Sequence, residues 1–303
     1  MRQRSWALLL ALLLVLTPVT AHMEEAVTFI DDLGQTVTAF SPKRVAALSG
    51  SFAEIWLLAG GTLCCATQDA WDERALPLSA DVVNVGSLKQ PSAELLLKQG
   101  ADFALLTPTL EGQRALGETL SAAGVTTAYF EVETFADYLR MLDCCTRMTG
   151  RPDLYNEYGE RVAQKIAQIV KAYEGKPSPS VLLLRAYSTG VKAKNSQNNM
   201  VGAMLDELGC RNIADSQSGL LETLSMETII AQDPDFIFIT TMGADDEALS
   251  YLAKNLQSSP AWQGLTAVRE GRCHVLPKAL FHYKPNARWA ESYQMLADFL
   301  YGQ

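Results

Sequence analysis

Aromatic and cationic groups crowd one short stretch near the C-terminus: His282, Tyr283, Lys284, Asn286, Arg288 and Trp289 fall within eight residues. Lysine and arginine hold oxyanions through charge-assisted hydrogen bonds, and aromatic faces stack or receive cations. Together they suit a flat, anionic metal chelate. The same residues also read as a helix entrance, with Pro285 as the breaker and the charges solvated. A bare Zn²⁺ or Mn²⁺ is a poor match, because such a site wants several His, Asp or Glu ligands. Only three histidines remain once a leader at residues 1–21 is removed, His22 at the new N-terminus, His274 and His282, so the metal is expected to arrive already chelated. The chain carries no G-x-S-x-G elbow, H-E-x-x-H pair, Walker A loop or G-x-G-x-x-G turn. A secreted α/β enzyme acting on a small anionic substrate stays as the alternative, with Ser, His and Asp assembled only in space.

The elements that must position this stretch are organised around one helix, expected from Pro152 to about Tyr173. Leu154, Tyr158, Val162, Ile166, Ile169, Val170 and Tyr173 form a continuous apolar stripe on a 3.6-residue period. Pro152 suits the first helical position, and Gly175 followed by Pro177 and Pro179 ends the run. About 22 residues make a helix about 33 Å long, enough to join two small lobes by a single stiff crossing.

Before that helix, FIDDLGQTV reads as a hairpin turning at Asp32-Leu33-Gly34. Short apolar strands follow at Val45–Leu48, Leu63–Thr67, Val82–Val85, Phe103–Thr107 and Thr127–Phe130, alternating with helices. Ser51 and Glu54 have capping-box spacing. After it come strands at Val181–Leu184, Phe236–Thr240 and Cys273–Leu276, a polar loop Lys192–Asn199, and a last helix from about Ala287 to Leu300. Such alternation predicts parallel sheets covered on both faces. The expected division is a leader at residues 1–21, an α/β lobe at 22–150, the connecting helix at 151–175 and a second α/β lobe at 176–303.

The leader reading rests on Arg2 and Arg4, the apolar run Trp6–Leu16, and the small residues that end at Ala21. Eleven apolar residues are too few for a bilayer that needs about 20; left uncut, the segment would be a weak tether. Its removal leaves 23 basic against 34 acidic side chains, a net −11. A polyanion would be repelled, so nucleic acid is not expected as a partner. Six cysteines occur as Cys64-Cys65, Cys144-Cys145, Cys210 and Cys273, without zinc or C-x-x-C spacing. Buried thiols are expected, with a disulfide as the alternative in an exported chain.

One pattern recurs. Ser92-Ala-Glu94, Gln99 and Asp102-Phe103 match Ser225-Met-Glu227, Gln232 and Asp235-Phe236 at a constant offset of 133 residues. Each copy is an N-capped helix with a carboxylate in its first turn, followed by a buried strand.

FIDDLGQTV…SPKRVAALSGSFAEI, Val85-Gly86 before PSAELLL, the single long helix, LDELGCRNIA and SMETIIAQDPDFIFI, in this order, resemble the helical-backbone class of substrate-binding proteins. These serve ABC importers of iron–siderophore complexes, haem and vitamin B12. The resemblance implies two Rossmann-like lobes with central sheets, joined by a single long α-helix, facing each other across a shallow cleft. It implies no enzyme activity and no cofactor. The ligand would be an Fe(III)-siderophore, haem or cobalamin, carried by a monomer in the periplasm or on the outer face of the cytoplasmic membrane. It also implies that one glutamate per lobe, matching Glu94 and Glu227, docks onto arginines of a permease dimer. Two departures stand out: no lipid-anchoring cysteine follows the apolar run, and the pair Cys64-Cys65 sits where an ordinary strand is expected.

Ligands of paired α/β lobes sit at the C-terminal ends of strands. The candidate contacts there are Ser51, Trp71, Ser87, Arg185, Tyr187, Lys194, Tyr283, Lys284 and Arg288.

Overall fold

The computed structural model describes residues 26–197 and 199–302; the expected leader at 1–21 lies outside them, as do Asn198 and Gln303. The opening hairpin forms as expected, from β1 (Val27–Ile30) and β2 (Thr36–Ala39). Its turn is tied by Asp31, whose side chain accepts from the amides of Leu33, Gln35 and Tyr129.

The first lobe is built on β3 (Val45–Ala47), β4 (Leu63–Ala66), β5 (Val83–Asn84), the small hairpin β6 (Gly86–Ser87) with β7 (Gln90–Pro91), β8 (Phe103–Leu106) and β9 (Thr126–Tyr129). Its sheet is parallel, in the order β5-β4-β3-β8-β9. The second lobe holds β10 (Ser180–Tyr187), β11 (Gly190–Lys194), β12 (Arg211–Asn212), β13 (Phe236–Thr241) and β14 (Cys273–Val275), ordered β11-β10-β13-β14 with β12 also on β10. Strand order reverses between β3 and β8 in one lobe and between β10 and β13 in the other. The loops at the C-terminal ends of those pairs therefore splay apart and leave a crevice.

The duplicated pattern has a structural counterpart. Val45 pairs with Phe103 in the first sheet as Val181 pairs with Phe236 in the second. Asp102 accepts from the amides of Lys43 and Arg44, and Asp235 from the amide and hydroxyl of Ser180. In both lobes the aspartate before the strand thus anchors the start of its neighbour. Ser92 and Ser225 cap their helices by accepting from Leu95 and Thr228.

The connecting helix is unbroken from Pro152 to Tyr173, but Asn156–Glu160 winds as one wider π turn. Gly159 explains it: the turn is pressed against the helix Phe135–Thr149, and a Cβ there would lie 3.1 Å from Leu139 and 3.4 Å from Leu142. The Tyr138 hydroxyl donates to the Tyr158 carbonyl at 2.9 Å within that turn, satisfying a group the regular ladder has released.

Val162 and Ile166 are buried and Ile169, Val170 and Tyr173 half-buried on the predicted stripe, facing the last helix, Trp289–Tyr301. That contact makes one core of both halves. A single buried cluster runs from Val37 through Leu142, Val162 and Ile166 to Leu205, Trp289 and Leu300, with one smaller cluster inside each lobe.

Two local expectations are corrected. The helix Gly50–Leu58 is not capped by a Ser51–Glu54 box; Ser49 is the N-cap and makes no side-chain bond. Asp69 caps it instead, accepting from the Gly50 amide at 2.6 Å, which frees Glu54 for other work. The polar stretch after Tyr187 is not simply a loop. It turns at Ser188-Thr189 and returns as β11, pairing Leu183 with Lys194 and Arg185 with Lys192.

Candidate functional site

Because paired residues of an antiparallel ladder share a face, the returning strand places Arg185, Lys192 and Lys194 together on one side of the hairpin. Burial lowers the Lys194 ammonium's pKa, and the neighbouring Arg185 and Lys192 charges lower it further. Like charges held this close favour an anionic occupant.

Arg185 also lines a cavity of about 190 Å³ with Glu133, Asn199, Met200, Phe281, His282 and Lys284. Glu133 comes from the first lobe and the others from the second, so the cavity lies between them. Two nitrogens here are buried and have no partner, Nε of Arg185 and Nδ1 of His282. Buried polar atoms cost free energy until something pairs with them.

One ion pair crosses this cavity: Lys284 Nζ stands 3.2 Å from a Glu133 carboxylate oxygen. The Lys284 carbonyl is held from the first lobe as well, accepting from Arg74 at 2.6 Å. Arg74 is ion-paired with Glu54, and Glu54 accepts from Asn286 Nδ2 at 2.7 Å. Tyr283 sits between two cations, with Arg74 6.0 Å and Lys278 5.8 Å from its ring centroid. The segment 282–288 is therefore bound to the first lobe at three positions, Tyr283, Lys284 and Asn286, while belonging to the second.

Asn286 is the hinge pin of this strap, fully buried with a left-handed φ of 51°. It donates to the Ser51 carbonyl at 3.1 Å and lies 3.4 Å from the Ser51 hydroxyl. Asn286→Ala strips partners from buried oxygens and places alanine where asparagine is better tolerated. A stability loss of about 2–3 kcal/mol is expected in denaturant unfolding; a change under about 0.5 kcal/mol would show that the strap does not hold the lobes.

Burial, and then the charges of Arg185, Lys278 and Lys284, pull the His282 imidazole down to about 4, with Asp245 opposing. The folded His282 is neutral at pH 7, whereas an unfolded histidine titrates near 6.5. Between those values the unfolded chain binds a proton that the folded chain refuses. Stability should fall by up to about 2–3 kcal/mol as pH drops from 6.5 towards 4. Unfolding of wild type and His282→Asn at both pH values measures it, and an equal loss in both would remove His282 as the cause.

Of the expected contacts, the fold brings Arg185, Tyr283 and Lys284 to the interlobe region, with Lys194 beside Arg185. Tyr187 is half-buried where the hairpin turns. Ser51 is buried against Asn286, and Trp71 packs half-buried on the core. Ser87 is exposed and accepts from the Gln90 amide in its small hairpin. Arg288 is exposed and ion-paired with Glu291 at 2.7 Å, and it does not line the cavity. Glu133, Asn199, Met200 and Arg74 were not expected; Glu133 stands directly before Thr134, the N-cap of the helix Phe135–Thr149.

The periplasmic binding protein family model matches residues 45–280, more than three quarters of the chain. This chain belongs to that family. Among solved structures, an ABC transporter substrate-binding protein from Listeria monocytogenes EGD-e superposes with a TM-score of 0.71 at 19% identity, over 86% of this chain and 99% of its own. The apo periplasmic heme-binding protein RhuT from Roseiflexus sp. RS-1 gives 0.68 at 20% identity, over 86% and 98%. Staphylococcus aureus SirA complexed with staphyloferrin B gives 0.68 at 18%, over 91% and 97%. At these identities the likeness shows the fold. A search of curated proteins found no match. The periplasmic binding protein thus places its interlobe cavity at the strand ends where the reversed strand order requires a crevice. Among the described residues no helix is long and apolar enough to cross a membrane, and no cluster of three or more His, Cys, Asp or Glu could hold a metal ion.

Proposed function

We propose that this periplasmic binding protein is an exported, monomeric carrier that captures an anionic metal chelate, a ferric siderophore or haem in preference to cobalamin, and delivers it to an ABC permease dimer. The observation that carries the reading is the cationic interlobe wall. Arg185 and Lys284 face a first-lobe carboxylate across a cavity, and Arg185 has a buried donor still unpaired. Cobalamin offers these cations less anionic charge. A cavity of about 190 Å³ is smaller than the ~300–1,000 Å³ of sites that enclose small molecules. A chelate is therefore admitted by opening the Glu133–Lys284 pair, after which its own oxyanions replace Glu133 on Lys284.

The ligand leaves unchanged and no cofactor takes part. Residues 22–150 and 176–303 act as the two lobes around the helix 151–175. The protein works in the periplasm or at the outer face of the cytoplasmic membrane. Glu94 and Glu227 meet the two permease subunits. Both are exposed in first turns of helices that precede strands β8 and β13. Each is followed three residues later by an exposed apolar side chain, Leu97 at 40% and Ile230 at 48% exposure.

Absorption titration of the purified protein with a ferric catecholate, a ferric carboxylate siderophore, haem and cobalamin tests the reading. Saturable binding of one anionic chelate, recovered intact by mass spectrometry, supports it. Turnover of the chelate, or binding of cobalamin alone, would overturn it.

A further inference from the structure

The one adjacent cysteine pair on a strand breaks the rule that neighbours along a strand point to opposite faces. β3 pairs Val45 with Leu63 and then Ala46 with Cys65, skipping Cys64. Cys64 is therefore the extra residue of a β-bulge. The burial clusters record the result: Leu63 and Ala66 pack on one side of the sheet, and Cys64 and Cys65 both pack on the other. Two thiols that regular pleating would separate are side by side.

They also have an entrance. Cys64 lines a cavity of about 420 Å³ with Arg44, Leu57, Leu63, Leu78 and Val82. These residues lie at or near the starts of β3, β4 and β5, so the cavity opens at the edge of the sheet opposite the interlobe crevice. It belongs to neither the ligand site nor the faces of Glu94 and Glu227.

The chemistry of the pair is asymmetric. Hydrogen bonding with the Cys65 thiol, against burial and with help from the Arg44 guanidinium, brings the Cys64 thiol below its ordinary range. The same hydrogen bond, together with burial, pushes Cys65 up. One sulfur is thus inclined to be the nucleophile, and the other keeps its proton until something displaces it. All six cysteines are free thiols.

We propose that Cys64 and Cys65 form a dithiol clip for a soft centre bound through two sulfurs, either trivalent arsenic or a monovalent d¹⁰ cation such as Cu(I). No third or fourth ligand from Cys, His, Asp or Glu joins them among the described residues, which disfavours tetrahedral zinc and favours a centre that two thiolates satisfy. With an organoarsenic oxide the As–O bond breaks and two As–S bonds form. The two thiol protons leave with the oxide as water, and no element changes oxidation state. An apolar substituent on arsenic would lie among Leu57, Leu63, Leu78 and Val82. With Cu(I) the metal displaces the thiol protons directly.

The chain contains its own control. Cys144 and Cys145 are also adjacent, but they lie on the helix Phe135–Thr149, where consecutive residues do not face each other. Both are buried, and burial pushes the Cys144 thiol up to about 11. Identical spacing on a different backbone gives no clip.

The test treats the folded, full chain with phenylarsine oxide, then with excess monothiol, which strips single-thiol adducts. Native mass spectrometry should show one phenylarsenic group less two hydrogens per chain. The adduct should be absent from Cys64→Ser and Cys65→Ser and retained in Cys144→Ser, with circular dichroism confirming that each variant folds. Cys64→Ser alone decides if Cys65→Ser does not fold. A parallel anaerobic titration with Cu(I) against a chromogenic chelator separates the sources: one equivalent bound and lost in Cys64→Ser assigns the d¹⁰ cation, and arsenical capture alone assigns the trivalent centre. The absence of both a monothiol-resistant adduct and Cu(I) binding on wild type, or the retention of either in Cys64→Ser, overturns the clip.

Discussion

Replacing Glu94 and Glu227 together by alanine should stop delivery while leaving ligand capture at wild-type affinity. Each glutamate is exposed in the first turn of a helix whose serine cap is made by another residue. What the fold loses with each carboxylate is its interaction with the positive end of the helix dipole, about 0.3–1 kcal/mol. Docking is different in scale. A carboxylate that meets an arginine and is desolvated on contact leaves that arginine unpaired when it is removed, at about 2–5 kcal/mol per site. That is tens to thousands of fold in association for each lobe. Leu97 and Ile230, one helical turn on, supply the apolar contact that would exclude water from the pair. Uptake assays and binding to the permease in nanodiscs measure the loss, with ligand titration of the same variants as reference. Normal transport by the double variant would remove both residues from docking, and lost ligand binding in either single variant would move that glutamate into the cleft.

Arg185→Ala is the change expected to weaken capture most. Its guanidinium belongs to the cavity wall, has a buried Nε without a partner, and is flanked by Lys192 across the hairpin. A hydrogen bond to a charged group contributes about 1.5–3 kcal/mol, so affinity for an anionic ferric chelate should fall by about 10- to 150-fold. Arg185→Lys should recover only part of it, because an ammonium cannot make the planar two-pronged contact. Removing a charge from a like-charged cluster should not destabilise the fold. Arg288→Ala is the contrast: an exposed i,i+3 pair with Glu291 contributes about 0–1 kcal/mol to stability and nothing to the cavity. Fluorescence titrations that found Arg185→Ala at wild-type affinity and Arg288→Ala impaired would reverse the assignment.

What the sequence made legible was local. The stripe from Leu154 to Tyr173, the Gly34 turn, and the repeated serine-capped helix with its Asp-Phe strand each need only neighbours within a few turns, and all of them form. What it hid was set by partners far along the chain. Ser51-x-x-Glu54 has capping spacing, but Glu54 is taken by Arg74 and Asn286, which no local pattern could announce. Lys284 was legible as a cleft cation, whereas Glu133 opposite it had no chemical signature. Arg288 shared the composition of its neighbours but faces solvent, because the chain turns at Asn286 and enters a new helix there. The bulge at Cys64 was visible only as an odd pair of cysteines in an otherwise plain strand.

The cluster that runs from Val37 to Leu300 has a consequence for when this protein becomes a protein. Each sheet can pair its strands from nearby sequence, yet the stripe of the connecting helix stays wet until Trp289–Tyr301 lies across it. These contacts also join stretches far apart in sequence, the kind that form late because a long loop must close first. A chain emerging N-terminus first would hold Val162 and Ile166 uncovered until almost its last residues had arrived. Its period of exposure to proteases and to other unfinished chains is therefore set by the emergence of the whole polypeptide and not by the folding of either half.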